Sequence, residues 1–175
     1  MPEFNYPWYN VAKAEEPLSQ GDFILSCPII IPPQSMDTPN PEVEITAYDV
    51  IVMSQSCDLL HDKIDLVLLC PFWKMTDLEQ RESYYKSKKG KESLRKGDQP
   101  SYHLLNKCNI ENFEHDYLIV DFRSVFSSHI AFLHDFVIKK GNRLRLLPPY
   151  REHLSQAFAR FFMRVGLPVD IPSFQ

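Results

Sequence analysis

Ile51-Val52-Met53-Ser54-Gln55-Ser56-Cys57-Asp58-Leu59-Leu60-His61 places a thiol, a carboxylate and an imidazole within five residues, directly after a run of strand-forming side chains. Three chemistries fit those residue types. In the first, an imidazole keeps the cysteine as a nucleophilic thiolate. Cys57 and His61, four apart, would share one face of a helical turn. The adjacent Asp58 carboxylate disfavours an anionic sulfur, and catalytic Cys/His pairs usually join distant segments. In the second, Cys57 and His61 form half of a zinc site, which needs a second pair. Cys27 and Cys70 each close an apolar run before a proline. Alternation groups Cys27 with Phe23 and Leu25, and Cys70 with Leu66 and Leu68, which reads as two small core residues. No metal or cofactor is expected. In the third, Gln55, Asp58 and His61 form the hydrogen-bonding rim of a strand exit that lines a cleft. Cys57, Asp58 and His61 are the candidate catalytic residues; a turn or cleft-lining role stands beside that reading.

Charge supplies the second set of candidates. The net charge is −4, yet residues 81–96 hold seven Lys/Arg against two Glu, and residues 139–164 hold seven against Glu152 alone. A globally acidic chain can still present a basic face to an anionic partner. Lys88, Lys89, Lys91 and Arg95 lie on the first segment; Arg143 and Arg145 alternate along the second; Arg160 and Arg164 are one helical turn apart. With Trp73, Tyr84 and Tyr85 close in sequence, these eight cations suit a nucleic-acid backbone, RNA or DNA, with stacked bases. They equally suit an acidic protein partner. Asp121 and Arg123, two apart in an extended run, read as a structural ion pair.

The elements that position these groups follow from pattern and punctuation. Residues 1–18 form an aromatic, proline-bearing arm laid on the body of the protein, and 19–175 form one domain. Strands are predicted at 22–27, ended by Pro28, at 43–54 with a bend near Ala47, and at 64–70, ended by Pro71. Thr76-Asp77-Leu78-Glu79 has the form of a capping box and starts a helical insertion over 76–96, with a break at Gly90. Further strands are predicted at 101–105 and 117–123, a less regular element at 125–133, and a hairpin over 136–147 turning at Gly141-Asn142. Tyr150, Leu154, Ala157, Phe158, Phe161, Phe162 and Val165 recur at helical spacing and predict a helix over 150–165 docked on the sheet. Its opposite face bears Glu152, His153, Gln156, Arg160 and Arg164. The class is α+β, mainly β, with a small, strongly bent antiparallel sheet or an SH3-like half-open barrel. No apolar run approaches the roughly 18 residues of a membrane span, and MPEFNYPWYN lacks the features of a signal peptide. A cytoplasmic setting with free thiols, and no membrane partner, is expected.

Gly21-Asp22 opening an apolar strand, then Val50-Ile51-Val52-Met53-Ser54, then Leu68-Leu69-Cys70-Pro71 resemble the MazF/PemK-type toxins. The resemblance covers about a third of the chain. It implies an SH3-like barrel and a prokaryotic setting, within a family that cuts messenger RNA and is neutralised by an antitoxin. Where that family places its catalytic Arg this chain has Tyr48, and where it places a Thr this chain has Phe72-Trp73, so those roles do not carry over. The favoured reading is a binding or regulatory module acting through a basic face. The alternative is an enzyme, either a toxin-like ribonuclease or a Cys57-dependent hydrolase.

Overall fold

The computed structural model describes residues 6–35, 37, 42–61 and 63–163. Its elements in chain order are β1 (Tyr9–Ala12), β2 (Phe23–Ile31), β3 (Glu44–Val52), α1 (Ser56–Leu60), β4 (Leu66–Lys74) and α2 (Met75–Arg81). A 3-10 turn (Ser83–Lys86), α3 (Lys88–Arg95), β5 (Tyr102–Leu105), β6 (Leu118–Asp121), β7 (Phe126–His129), α4 (Ile130–Lys140), β8 (Arg143–Leu146) and α5 (Tyr150–Phe162) follow. The main sheet runs β2-β3-β4-β6-β5, with β7 also paired to β4; β1 and β8 form a second, two-stranded sheet, and every pair is antiparallel. This is an α+β architecture with a bent sheet that does not close into a barrel.

The Val50-Ile51-Val52 run reads as uniformly apolar because the sheet is covered on both faces. Successive strand residues point to opposite faces, so Val50 and Val52 pack with Val67, Leu69, Leu133 and Val137 on the α4 side. Ile51 joins Phe23, Cys70, Phe72, Val120 and Leu154 on the α5 side. A third cluster (Met75, Leu78, Tyr85, Leu94, Tyr102 and Ile119) lies beneath the helical insertion. Leu154 is fully buried, and truncating such a residue to Ala typically removes about 2–5 kcal/mol.

Neither proline ends its strand. Pro28 pairs with Ala47 on β2, an edge strand where a missing N–H is tolerated. Pro71 sits between Leu69, which pairs with β7, and Phe72, which pairs with β6, while its other side faces Val50. A bulge between Ile24 and Cys27 shifts the register, so Cys27 sides with Ile24 and Ile29 rather than with Phe23. Cys27 and Cys70 are fully buried, and burial pushes their thiols up to about 11 and about 12.

The expected hairpin over 136–147 is instead α4 followed by β8. Leu133 and Val137, four apart, are buried against the sheet. β8 pairs with β1, Tyr9 opposite Leu146, so the second sheet joins segments far apart in the chain. The helix near Thr76 begins at Met75 with Lys74 at its cap, and no capping side chain is used. The insertion breaks at Glu82 and Ser87, not at Gly90. Ser87 Oγ caps α3 by accepting from the Gly90 N–H at 3.0 Å. A Cβ at Gly90 would lie 2.2 Å from the Tyr84 carbonyl oxygen, so glycine is what lets α3 fold back on the 3-10 turn. α5 docks through Tyr150, Leu154, Ala157, Phe158 and Phe161, whereas Phe162 is exposed and Val165 lies outside the described residues.

Candidate functional site

Local backbone order explains where the Cys57 motif ends up. Ser54, at the exit of β3, accepts the Leu68 N–H at 2.8 Å, and Ser56 Oγ meets Ser19 Oγ at 2.7 Å and the Gln20 N–H at 3.1 Å. The chain then turns into α1, whose N-cap is Gln55. Cys57 is exposed on that turn and its Sγ donates to Asp58 Oδ1 at 3.6 Å. Asp58 also lies 3.9 Å from Lys63 Nζ, and His61 is the C-cap residue. The serines of the motif knit two strand entries together, while Cys57 and His61 stay on the surface. Among the described residues, no group of three or more His, Cys, Asp or Glu side chains is arranged to hold a metal.

The eight basic candidates divide. Arg143 and Arg145 point inward to Asp22, which is completely buried. Arg143 Nε donates to Asp22 Oδ2 at 2.7 Å, and Arg145 brackets the same carboxylate through Nε and Nη2. The remaining Arg143 donors go to the carbonyls of Lys13, Glu16 and Pro17 at 2.8–3.0 Å. These two arginines fasten the 13–22 segment to β8 and are withdrawn from the exposed basic face expected of them. Gly21 allows this close approach; its φ is +85° and an added Cβ would meet Leu146 Cβ at 3.0 Å. Lys91 pairs with Glu79 at 2.8 Å, Lys88 and Lys89 are exposed on α3, and Arg164 lies outside the described residues.

Arg95 and Arg160, 65 positions apart in sequence, converge on one cleft of about 550 Å³ between the end of α3, β5 and the polar face of α5. Lys96, His103, Asn106, Tyr117, His153 and Gln156 line it as well, and none of its lining residues is acidic. Arg95 is steadied by Glu92 at 2.8 Å, one helical turn back. Lys88 and Lys89 stand two helical turns before Arg95 and Lys96, with Glu92 lying between Lys88 and Arg95 on the same face. Burial, with a smaller contribution from His153, pushes His103 down to about 4. It is therefore a neutral imidazole at pH 7, able to donate and accept. Its ring stacks on Phe122, the centroids 6.3 Å apart.

Aromatic rings complete the walls. Trp8 stacks on Tyr150 at 3.6 Å, Tyr102 is fixed by its hydroxyl donating to Glu82 at 2.6 Å, and Tyr117 is partly exposed with Lys107 above it. Beside Tyr102, Asp121 and Arg123 form the ion pair read from the sequence, at 2.8 Å. Of this constellation, the helical spacing of His153, Gln156 and Arg160 marked the α5 wall. His103 carried no sequence signal, being a lone histidine in a short strand. Comparison with known proteins adds no further constraint: no family model, curated protein or solved structure matches the chain.

Proposed function

We propose that the protein is a binding module for single-stranded nucleic acid, seated in the cleft between α3, β5 and α5. The observation that carries this reading is a concave site lined by Arg95, Lys96 and Arg160 with no carboxylate among its walls. Tyr117 offers a stacking face, the Asn106 and Gln156 amides offer base-edge hydrogen bonds, and Arg95, Lys96 and Arg160 offer contacts for the backbone. An acidic peptide would use the cations and leave the ring and the amides idle. The resemblance of 21–22, 50–54 and 68–71 to the MazF/PemK-type toxins supports a prokaryotic setting, and its RNA-cutting residues do not carry over, so the ligand class rests on the cleft itself. Among the described residues, no helix is long and apolar enough to cross a membrane.

Fluorescence anisotropy with labelled single-stranded RNA and DNA oligonucleotides tests the reading. Three neutralised phosphates on a single strand predict an affinity loss of about twentyfold between about 50 and about 200 mM salt. The Arg95→Ala/Arg160→Ala variant should bind weakly and with a much shallower salt dependence. Equal binding by wild type and that variant would exclude the cleft, and binding of an acidic peptide but not of either oligonucleotide would replace the ligand class.

A further inference from the structure

β3 uses only part of one flank. Backbone N–H and C=O groups alternate in direction along a strand. The Val52 N–H donates to the Asp22 carbonyl at 2.9 Å, on the β2 side, and the Met53 N–H donates to the Leu68 carbonyl at 2.9 Å, on the β4 side. Even-numbered residues of β3 therefore turn their backbone groups to β2, and odd-numbered residues turn theirs to β4. β2 accompanies β3 as far as Glu44, whereas β4 pairs with it only at Val50, Ile51 and Val52 before joining β6. Among the described residues, no strand or backbone hydrogen bond occupies the flank of Ile45, Ala47 and Asp49.

Free strand edges pair readily, and proteins blunt them with prolines, bulges or lysines. The outer edge of β2 has both Pro28 and the bulge between Ile24 and Cys27. The open flank of β3, Glu44-Ile45-Thr46-Ala47-Tyr48-Asp49, has none of these devices. Its side chains are uncovered too. Ile45, Ala47 and Asp49 share the α5-side face with Ile51, and Ile45 is 68% exposed opposite Ile30 at 66%. Ala47 and Asp49 wall a second cleft, of about 550 Å³, whose floor is Phe23, Phe72, Leu118 and Leu144 from the core on that same face.

An occupant of this flank has to be extended, apolar at alternate positions, and free of proline at the residues that pair. The chain's own segment 164–175, outside the described residues, has that sequence. Leu167, Val169 and Ile171 alternate with Pro168, Asp170 and Pro172, so both prolines have the same parity. In an antiparallel ladder, residues that exchange hydrogen bonds point their side chains to one face. Turning residues 167, 169 and 171 towards Ile45 and Ala47 keeps every pairing N–H, sends the prolines' bare nitrogens outward, and lays three apolar side chains over the cleft floor. Direction and reach agree. β4 is antiparallel to β3 and to β6, so β3 and β6 end at the same side of the sheet. Phe158 and Phe161 pack on Phe122, one residue past β6. A segment leaving α5 there and running along β3 towards Glu44 is antiparallel to it. By ladder position Phe122 stands level with Ile51, four residues and two strand spacings from Ala47, or roughly 16 Å; six extended residues span about 20 Å. We infer that residues 167–171 add to the open flank of β3 as an antiparallel strand and cover the second cleft.

Amide hydrogen exchange of the full chain tests this, with Thr46 and Tyr48, which face β2, as internal references. The Ile45 and Ala47 N–H groups should exchange at least about tenfold more slowly than in a chain ended after Met163, the effect of one hydrogen bond, while Thr46 and Tyr48 keep their rates. A synthetic peptide of residues 164–175, added to the shortened chain, should restore the protection saturably. The same peptide with Val169→Pro, which removes a pairing N–H, should not. If the shortened chain fails to fold, full-length Val169→Pro supplies the unprotected reference. Fast exchange at Ile45 and Ala47 in the full chain would overturn the inference, as would protection that survives removal of the segment. Protection that grows with protein concentration, together with a dimer in sedimentation, would also overturn it and give the flank to a second copy. The second cleft and the basic cleft share no lining residue, so either proposal can fail alone.

Discussion

Arg143 and Arg145 on one side, and Arg95 and Arg160 on the other, are two pairs of arginines put to opposite uses. The first pair has a buried carboxylate between its guanidinium groups, with backbone carbonyls and the Glu16 carboxylate taking further donors. The second pair lines a cleft with no carboxylate among its walls; Arg160 faces it from α5, and Arg95 is held from behind by the exposed Glu92 one turn back. Local sequence does not distinguish them, since each lies in a basic stretch. What separates them is Asp22, over 120 residues from Arg143 and Arg145, which no local pattern connects to β8. A charge is structural or functional according to what the fold places opposite it.

The largest expected effect falls on the structural pair. Asp22→Ala leaves Arg143 buried without its counter-ion, and unfolding in urea should show a loss of about 3–5 kcal/mol. Arg160→Ala should stay within about 0.5 kcal/mol of wild type. A similar loss for both would erase the distinction.

Acid should act on the cleft pair's neighbour. The folded chain holds His103 down at about 4, below its usual value of about 6.5, so the unfolded chain takes up the proton first as pH falls. The stabilisation is complete above about pH 6.5 and is lost progressively towards pH 4, on the order of 3 kcal/mol. His103→Phe, which keeps a ring against Phe122, should remove that part of the acid sensitivity when the two stability–pH curves are subtracted.

Gly90→Ala drives a methyl into the Tyr84 backbone and should cost about 1–3 kcal/mol, as overpacking does. Because α3 also carries Arg95, the same variant should weaken oligonucleotide binding although it removes no charge. At the small end, Cys57→Ser should change neither stability nor oligonucleotide affinity. Loss of an activity with that substitution would move the chemistry to the turn after β3 and favour the thiol-dependent reading.

How far the sequence foretold the fold depended on how local the deciding physics was. The strand cores of β2, β3 and β4, the helical character of 76–96 and the stripe of α5 were legible, because each rests on periodicity within a dozen residues. α4 was not. Ile130-Ala131-Phe132-Leu133 and Phe136-Val137-Ile138 are apolar at too many consecutive positions to show a period, and Gly141-Asn142 imitates a hairpin turn. The unused capping box at Thr76 has a tertiary cause: the Met75 N–H donates to the Tyr117 carbonyl at 2.9 Å, so the helix starts where β4 ends. The basic cleft was half legible. Arg95 and Arg160 stood out as cations, but their meeting across α3, β5 and α5, with His103 between, is a product of packing.

The tie between Asp22 and β8 also bears on how the chain is made. Asp22 leaves the ribosome 121 residues ahead of Arg143, a lag of about 6 to 24 s at ordinary elongation rates of roughly 5–20 residues per second. During that interval β2, β3 and β4 can pair, because their contacts are near in sequence, while the carboxylate at their edge has no counter-ion and stays hydrated. Burial of Asp22 is thus deferred until β8 is synthesised. A nascent chain stalled before Arg143 would present an open, unlatched sheet edge, the form a chaperone or protease would encounter.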